Sequence, residues 1–133
     1  MKYGEEYLQG YKDWEQLPEA VKRVPKEFTP RFVKKNVGLR YTDGKNHIRI
    51  DKGRPELIDY PPQQVDHITI TDNGNMLDEY ANYLEYDQFN DCTKVVDRNT
   101  GRILEILNGK PSIQPHSHIP LIKWLKWNSW NRM

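Results

Sequence analysis

The chain has 133 residues, of which 36% are hydrophobic and 29% are charged, and its formal net charge is +1. This length fits one domain with a core of its own. The chain contains four Trp, eight Tyr and three Phe, which is more aromatic residues than a disordered chain usually has, so we expect it to fold. The single cysteine, Cys92, excludes an internal disulfide. No apolar run approaches the roughly 20 residues that span a bilayer, and no secretory signal is expected at the N-terminus.

The charge is unevenly divided along the chain. Residues 1–54 contain 13 Lys and Arg against 8 Asp and Glu, and residues 92–133 contain 7 basic against 2 acidic residues. Between them, residues 55–91 contain 9 acidic and no basic residues. Blocks of opposite sign predict a basic surface suited to phosphates beside an acidic surface suited to cations or to a basic partner.

The predicted fold is a single α+β domain. Residues 1–36 are predicted to be mostly helical, because apolar residues recur at helical spacing in residues 16–24, with Pro18 in the first turn and Pro25 at the end. Residues 37–133 are predicted to form the sheet core and a short C-terminal helix. We therefore expect N-terminal helices packed on a four- to five-stranded antiparallel sheet.

The elements of the sheet core follow in order. Alternating side chains around the turn residues 42–45 predict a hairpin from 37 to 50, and a second hairpin is predicted from 93 to 107. Residues 65–71 are predicted to be a further strand. Helical spacing of apolar residues predicts a helix in the Tyr-rich segment 75–91. The C-terminal helix is predicted at 119–127, with Ser117 or His118 as its cap.

Two of the predicted strands place polar side chains on one surface. Successive side chains of a strand point to opposite faces. In the second strand of the first hairpin the isoleucines take one face, while His47 and Arg49 take the other. In the strand at 65–71 the isoleucines again take one face, while His67 and Thr69 take the other. If the isoleucines face the core, these four polar side chains form a catalytic surface.

This set of side chains fits RNA cleavage without a metal or a cofactor. The pKa of an imidazole is about 6.5, so one histidine can accept the proton of a ribose 2′-OH while another protonates the leaving 5′-oxygen. Arg49 would stabilise the phosphorane, and Thr69 would donate a hydrogen bond to the transition state. Further contacts to the RNA are predicted for Lys45, Lys52, Arg54, His118 and Lys126.

Two alternatives belong to other classes of function. Asp66 and His67, followed by Asn73-Gly74-Asn75, resemble the start of an HNH nuclease, in which the histidine activates water and a metal binds the scissile phosphate. The acidic block at 55–91 would instead suit a non-enzymatic immunity or inhibitor protein that covers a basic partner. Such an inhibitor would act through Asp78, Glu79 and Glu85.

Three short motifs resemble the C-terminal toxin domains of bacterial polymorphic and contact-dependent growth inhibition systems. They are Gly44-Lys45-x-His47-Ile48-Arg49-Ile50, then Pro62-x-Gln64-Val65-Asp66-His67-Ile68 and, after a glycine-containing turn, His118-Ile119-Pro120-Leu121 with Trp124 and Trp127. The resemblance covers about residues 37–127.

The resemblance implies a ribonuclease of the barnase/EndoU/colicin/RelE type, with N-terminal helices on a four- or five-stranded antiparallel sheet and tRNA as a frequent substrate. It also implies secretion as part of a larger effector and action in the target-cell cytoplasm. A cognate immunity protein would neutralise the domain. The sequence would then be an excised domain behind an added Met1.

Overall fold

A computed structural model describes residues 14–32, 38–56, 58–59 and 61–127. These residues form nine β-strands, three short α-helices and one 3-10 turn. The strands are β1 (Thr29–Phe32), β2 (Gly38–Thr42), β3 (His47–Asp51), β4 (His67–Asp72), β5 (Asn75–Leu77), β6 (Tyr83–Asp87), β7 (Cys92–Val96), β8 (Ile103–Asn108) and β9 (Ile119–Pro120). The helices are α1 (Leu17–Val21), α2 (Ile113–Ser117) and α3 (Leu121–Trp124), and the 3-10 turn is Pro61–Gln63.

The described strands form one antiparallel sheet. Strands β1 to β8 are neighbours in chain order, and β9 pairs with β4. Strand β4 has β3 along one side. Its other side is shared, because β9 pairs with His67 and Ile68 while β5 pairs with Thr71 and Asp72. The sheet therefore divides at β4, and the chain segment before β9 is brought beside the first residues of β4.

The inner face of β2, β3 and β4 forms the hydrophobic core. Alternation buries one side chain in two along these strands, namely Leu39, Tyr41, Ile48, Ile50, Ile68 and Ile70. Helices α1 and α3 join the same cluster, together with Trp127. The indole N–H of Trp124 donates a hydrogen bond of 3.0 Å to the carbonyl of Ala20, which links the two helices. With one face of the strands covered, polar side chains occupy the opposite face.

The predicted fold class is wrong, because the molecule is mainly a nine-stranded sheet with short helices rather than helices packed on four or five strands. In the predicted helical segment 1–36, the described part contains only the five-residue α1 and then β1, which pairs with β2. Pro18 lies at the start of α1, and Pro25 prevents its continuation. Residues 1–13 and 33–36 lie outside the described residues.

The helix predicted at 75–91 is also wrong, since this segment forms β5 and β6. Asn73 and Gly74 both have positive φ angles, 53° and 86°, as a type I′ hairpin turn requires. After β5, the Asp78 carboxylate accepts hydrogen bonds from the backbone N–H groups of Tyr80 and Asn82. These two turns outweigh the helical spacing of the apolar residues, and tyrosine itself favours strands.

Both predicted hairpins are confirmed where they are described. Strand β2 pairs with β3 along its whole length, and β7 pairs with β8 around a bulge at Val95 and Val96. Val37, predicted to begin the first hairpin, lies outside the described residues. None of the helices in the described ranges is both long and apolar enough to cross a membrane.

The C-terminal helix is shorter than predicted. Its first two predicted residues form β9, and α3 has Pro120 as its N-cap residue without a side-chain capping bond. The predicted cap by Ser117 or His118 is therefore wrong. These two residues instead lie at the end of α2, where the side chains of both contact the carbonyl oxygen of Gln114.

Candidate active site

A cavity of about 180 Å³ opens on the polar face of the sheet. Eight described residues line it: Arg49, Asp51, Lys52, Arg54, Gln63, His67, Thr69 and His118. Three cationic side chains and two imidazoles thus surround a single carboxylate. The volume is smaller than the roughly 300–1,000 Å³ of a typical pocket for a drug-sized ligand. The cavity therefore suits an anionic group, such as a phosphate with part of a nucleotide.

Strand register brings the site together. The opposing pairs of β3 and β4 are Arg49 with Thr69 and Asp51 with His67. Because side chains directly opposite each other share a face, both pairs lie on the polar face. Strand β9 pairs Ile119 with Ile68, so His118, one residue earlier, comes beside Thr69. A residue about 50 positions away in the chain thereby joins the polar face of β4.

His67 is almost fully buried, with 5% of its surface exposed. Its Nδ1 lies 2.8 Å from the carbonyl oxygen of Val65. Because a carbonyl oxygen can only accept a hydrogen bond, Nδ1 is the donor. The other ring nitrogen, Nε2, lies 3.8 Å from Oδ2 of Asp51 and forms an ion pair with it when the ring is protonated. This position suits an imidazolium that donates a proton.

His118 lies next to His67, with 5.1 Å between the ring centroids and 56° between the ring planes. Its Nδ1 donates a hydrogen bond of 2.8 Å to the carbonyl of Gln114, which leaves Nε2 as the acceptor in the neutral ring. Burial lowers the pKa of His118 below its ordinary value of 6.5, and the charge of His67 lowers it further, although the bond to Gln114 opposes both effects. His118 is therefore mainly neutral at pH 7 and can accept a proton.

Asp51 connects the cationic side of the cavity to His67. Its Oδ1 accepts a hydrogen bond of 3.2 Å from Arg49, while its Oδ2 faces the imidazole. Gly38 lies opposite Asp51 on β2. A Cβ atom at Gly38 would lie 2.5 Å from Oδ1 of Asp51. The glycine therefore leaves the room that this buried carboxylate needs.

The loop after β3 is held tightly beside the cavity. The backbone N–H of Gly53 donates to Oδ1 of Asp66 over 2.7 Å, and the indole N–H of Trp14 donates to Oδ2 over 3.0 Å. A Cβ atom at Gly53 would lie 2.5 Å from a carbonyl oxygen of the segment that precedes β4, so only glycine allows this approach. Lys52 and Arg54, on either side of Gly53, are thus positioned at the cavity.

The structure brings together six of the nine predicted site residues: Arg49, Lys52, Arg54, His67, Thr69 and His118. His47 shares the polar face with them but lies about 7 Å further along β3 than Arg49, and it does not line the cavity. Lys45 is exposed in the turn between β2 and β3, and Lys126 is exposed after α3. The roles predicted for these last three residues remain predictions.

Sequence reasoning missed two residues of the cavity, Asp51 and Gln63. The alternation of His47 and Arg49 continues to Asp51, so one more step of the same pattern would have included it. Gln63 lies in the 3-10 turn, where no periodicity applies. No local signal in the sequence marks it, because its place at the cavity depends on how the turn packs.

The arrangement around Asp66 bears on metal binding. In the HNH-like interpretation Asp66 and His67 would begin the motif and His67 would activate water, but adjacent residues of an extended chain point to opposite sides, so the two side chains do not share one site. The Asp66 carboxylate is hydrogen-bonded to Trp14 and Gly53 instead. Across the described ranges, no three side chains of His, Cys, Asp or Glu are grouped closely enough to hold a metal ion.

Comparison with known proteins gives no relative of this chain. No protein-family model matches it, and neither a curated protein nor a solved structure does so. A function is therefore inferred from the cavity itself.

Proposed function

We propose that the chain is a metal-independent endoribonuclease in which His118 acts as the general base and His67 as the general acid. The supporting observation is a pair of imidazoles, 5.1 Å apart between centroids, in a cationic cavity. A backbone carbonyl fixes Nδ1 of each ring. Nε2 of each ring is therefore left for proton transfer, and the two rings have different electrostatic surroundings.

In the proposed reaction, one of the two rings acts as the base and the other as the acid. Nε2 of His118 takes the proton of a ribose 2′-OH, and the 2′-oxygen attacks the adjacent phosphorus. The bond from phosphorus to the 5′-oxygen breaks, and His67 gives its Nε2 proton to that oxygen. The products are a 2′,3′-cyclic phosphate and a 5′-hydroxyl end. General acid–base catalysis of this kind contributes about 10²–10⁴-fold to the rate for each group.

The other cavity residues bind and stabilise the phosphate. Arg49, Lys52 and Arg54 supply positive charge where negative charge accumulates on the phosphorane. In the described part of the chain, Lys52 makes no ion pair with a carboxylate, so its ammonium group is available to an RNA phosphate. Thr69 lies opposite Arg49 and can donate a hydrogen bond to a non-bridging oxygen.

The biological setting is proposed from the sequence resemblance. We propose tRNA as the substrate class and a cognate immunity protein as the partner that neutralises the activity. The chain would be secreted as part of a larger effector and would act in the cytoplasm of the target cell. The cationic cavity supports the RNA-binding part of this proposal, because phosphate contacts dominate affinity for nucleic acids.

The acidic-surface alternative has less support. Of the three acidic residues through which an inhibitor would act, Asp78 is buried and its carboxylate is hydrogen-bonded within a turn. Burial raises the pKa of Asp78 above its ordinary value. Glu79 pairs with Lys123 over 2.8 Å. Two of the three acidic side chains are thus engaged within the chain.

The proposal is tested with purified protein and tRNA in excess EDTA. We expect the wild type to cleave the RNA, and His67→Ala and His118→Ala each to lower kcat/KM by about 10²–10⁴-fold. His116→Ala is the matched control, because His116 is exposed, lies two residues from His118 and does not line the cavity. It should cleave at the wild-type rate. His47→Ala separates the proposed pair from the catalytic role that the sequence predicts for His47. Retained activity supports the pair of His118 and His67, whereas a loss as large as that of His67→Ala supports His47 as the base and contradicts His118.

The products distinguish this mechanism from others. Cleaved ends should carry a 2′,3′-cyclic phosphate, and an RNA with 2′-O-methyl groups throughout should stay intact because it offers no 2′-OH. Intact tRNA at high protein concentration would overturn the proposal. Cleavage that needs added Mg²⁺ and resists the His118 substitution would favour the metal-dependent alternative.

A further inference from the structure

Gln63 differs from most of the described side chains around the cavity. Besides Thr69, it is the only one there without a charge or an imidazole ring. Its amide presents a donor and an acceptor side by side. Within the described ranges, this amide makes no hydrogen bond to another residue. A free amide in a cavity otherwise suited to phosphate needs a separate explanation.

The backbone around Gln63 is well fixed. Its carbonyl accepts a hydrogen bond of 2.9 Å from the N–H of Arg54, and the carbonyl of Pro61 accepts one of 3.1 Å from the N–H of Gln64. The 3-10 turn also contacts α2, the helix that directly precedes His118. The amide of Gln63 therefore belongs to the side of the cavity that positions the general base.

The chemistry of the amide indicates a nucleobase rather than a phosphate. A phosphate offers only acceptors, so it would leave the amide oxygen without a partner. A base edge with a donor beside an acceptor satisfies both groups at once, and Gln makes this two-bond contact with adenine. In single-stranded RNA such edges are accessible, because the bases are not paired. On the same edge guanine presents two neighbouring acceptors, O6 and N7, and fits the amide less well. Guanine offers a donor beside an acceptor only on its Watson–Crick edge, at N1–H and O6.

We propose that Gln63 recognises the base of the nucleotide whose 2′-OH is deprotonated by His118 through the edge that carries N7, and that it therefore favours adenine over guanine at this position. This nucleotide lies immediately 5′ of the cleaved bond. The inference rests on the proposed ribonuclease function, and it adds a sequence preference to it.

The test uses a single-stranded RNA pool with randomised bases on both sides of one cleavable position. The ends produced by wild type and by Gln63→Ala are sequenced. We expect the wild type to prefer adenine over guanine 5′ of the cut, by roughly 5- to 100-fold for a two-bond contact. Gln63→Ala should remove this preference and leave the distribution at the 3′ position unchanged. Gln63→Glu, which keeps the shape but loses the donor, should also remove it.

Gln64→Ala is the matched control. The Gln64 side chain donates to the carbonyl of Pro55 over 3.4 Å, and it does not line the cavity. This variant should keep the wild-type preference. If the wild type cleaves RNA and Gln63→Ala shows an unchanged base preference, or an equal loss of rate on all sequences, the inference is overturned while the ribonuclease proposal stands. If the wild type cleaves no RNA, the proposed function fails first.

Discussion

The two ends of the sheet are built differently. The core end, which comprises β1 to β5 and β9, has its inner face covered by α1 and α3, and its buried side chains form one continuous cluster. The hairpin end comprises β6, β7 and β8. Its buried hydrophobic residues, Leu84, Val95 and Val96, lie outside that cluster, and Ile103, Leu104 and Ile106 of β8 are 48–61% exposed.

This difference explains where the cavity lies. Proton transfer requires side chains held within fractions of an ångström, and packed strands supply this rigidity. At the core end, β3 and β4 are fixed from behind by buried isoleucines, so their opposite face can hold charged groups in register. The hairpin end is attached to the core end at Asp72, whose carboxylate accepts hydrogen bonds from Tyr83 and Arg98.

The largest expected difference between the two ends is in how much a substitution lowers the free energy of unfolding. Trp124→Ala removes a fully buried indole and its bond to Ala20, and it should lower the free energy of unfolding by about 3–5 kcal/mol. Ile106→Ala at the hairpin end removes a side chain that is 61% exposed, and it should cost less than about 1 kcal/mol. Urea denaturation measures both. Equal losses would show that the two ends do not differ in this way.

A smaller loss is expected at the loop beside the cavity. Asp66→Ala leaves the indole N–H of Trp14 and the backbone N–H of Gly53 without their carboxylate acceptor, and it should cost about 2–4 kcal/mol. It should also weaken RNA binding, because Lys52 and Arg54 flank Gly53. Asp59→Ala, an exposed acidic residue of the same loop, should change stability by less than about 0.5 kcal/mol. If both variants unfold at the same urea concentration, Asp66 does not fix the loop.

The smallest predicted effect concerns pH. Because His118 must be deprotonated to act as a base, kcat/KM should rise as pH increases through its pKa, which burial lowers below 6.5. At pH 6.5 more than half of His118 is then already neutral, so its ionisation changes the rate by less than about twofold between pH 6.5 and 7.5. A pH profile of wild-type cleavage checks this. A half-maximal point on the acid side above pH 6.5 would contradict the assigned base.

Part of the candidate site could be predicted from alternation alone. Arg49, His67 and Thr69 lie on the polar face, as their spacing relative to the buried isoleucines predicts, because side-chain direction in a strand is a local property. His118 was expected to contact substrate or to cap the C-terminal helix, and no local pattern pairs it with His67. The placement of Gln63 was not predicted, since it depends on the contact between the 3-10 turn and α2.

The sequence by itself determined the first hairpin, the strand that carries His67 and the faces of both, because turn residues and alternating side chains act over a few positions. The number of strands, the short helices and the pairing of β9 with β4 were decided by the tertiary structure. These features depend on contacts between residues far apart in the chain, and burial of the tryptophans against the sheet selects among the alternatives that local spacing leaves open.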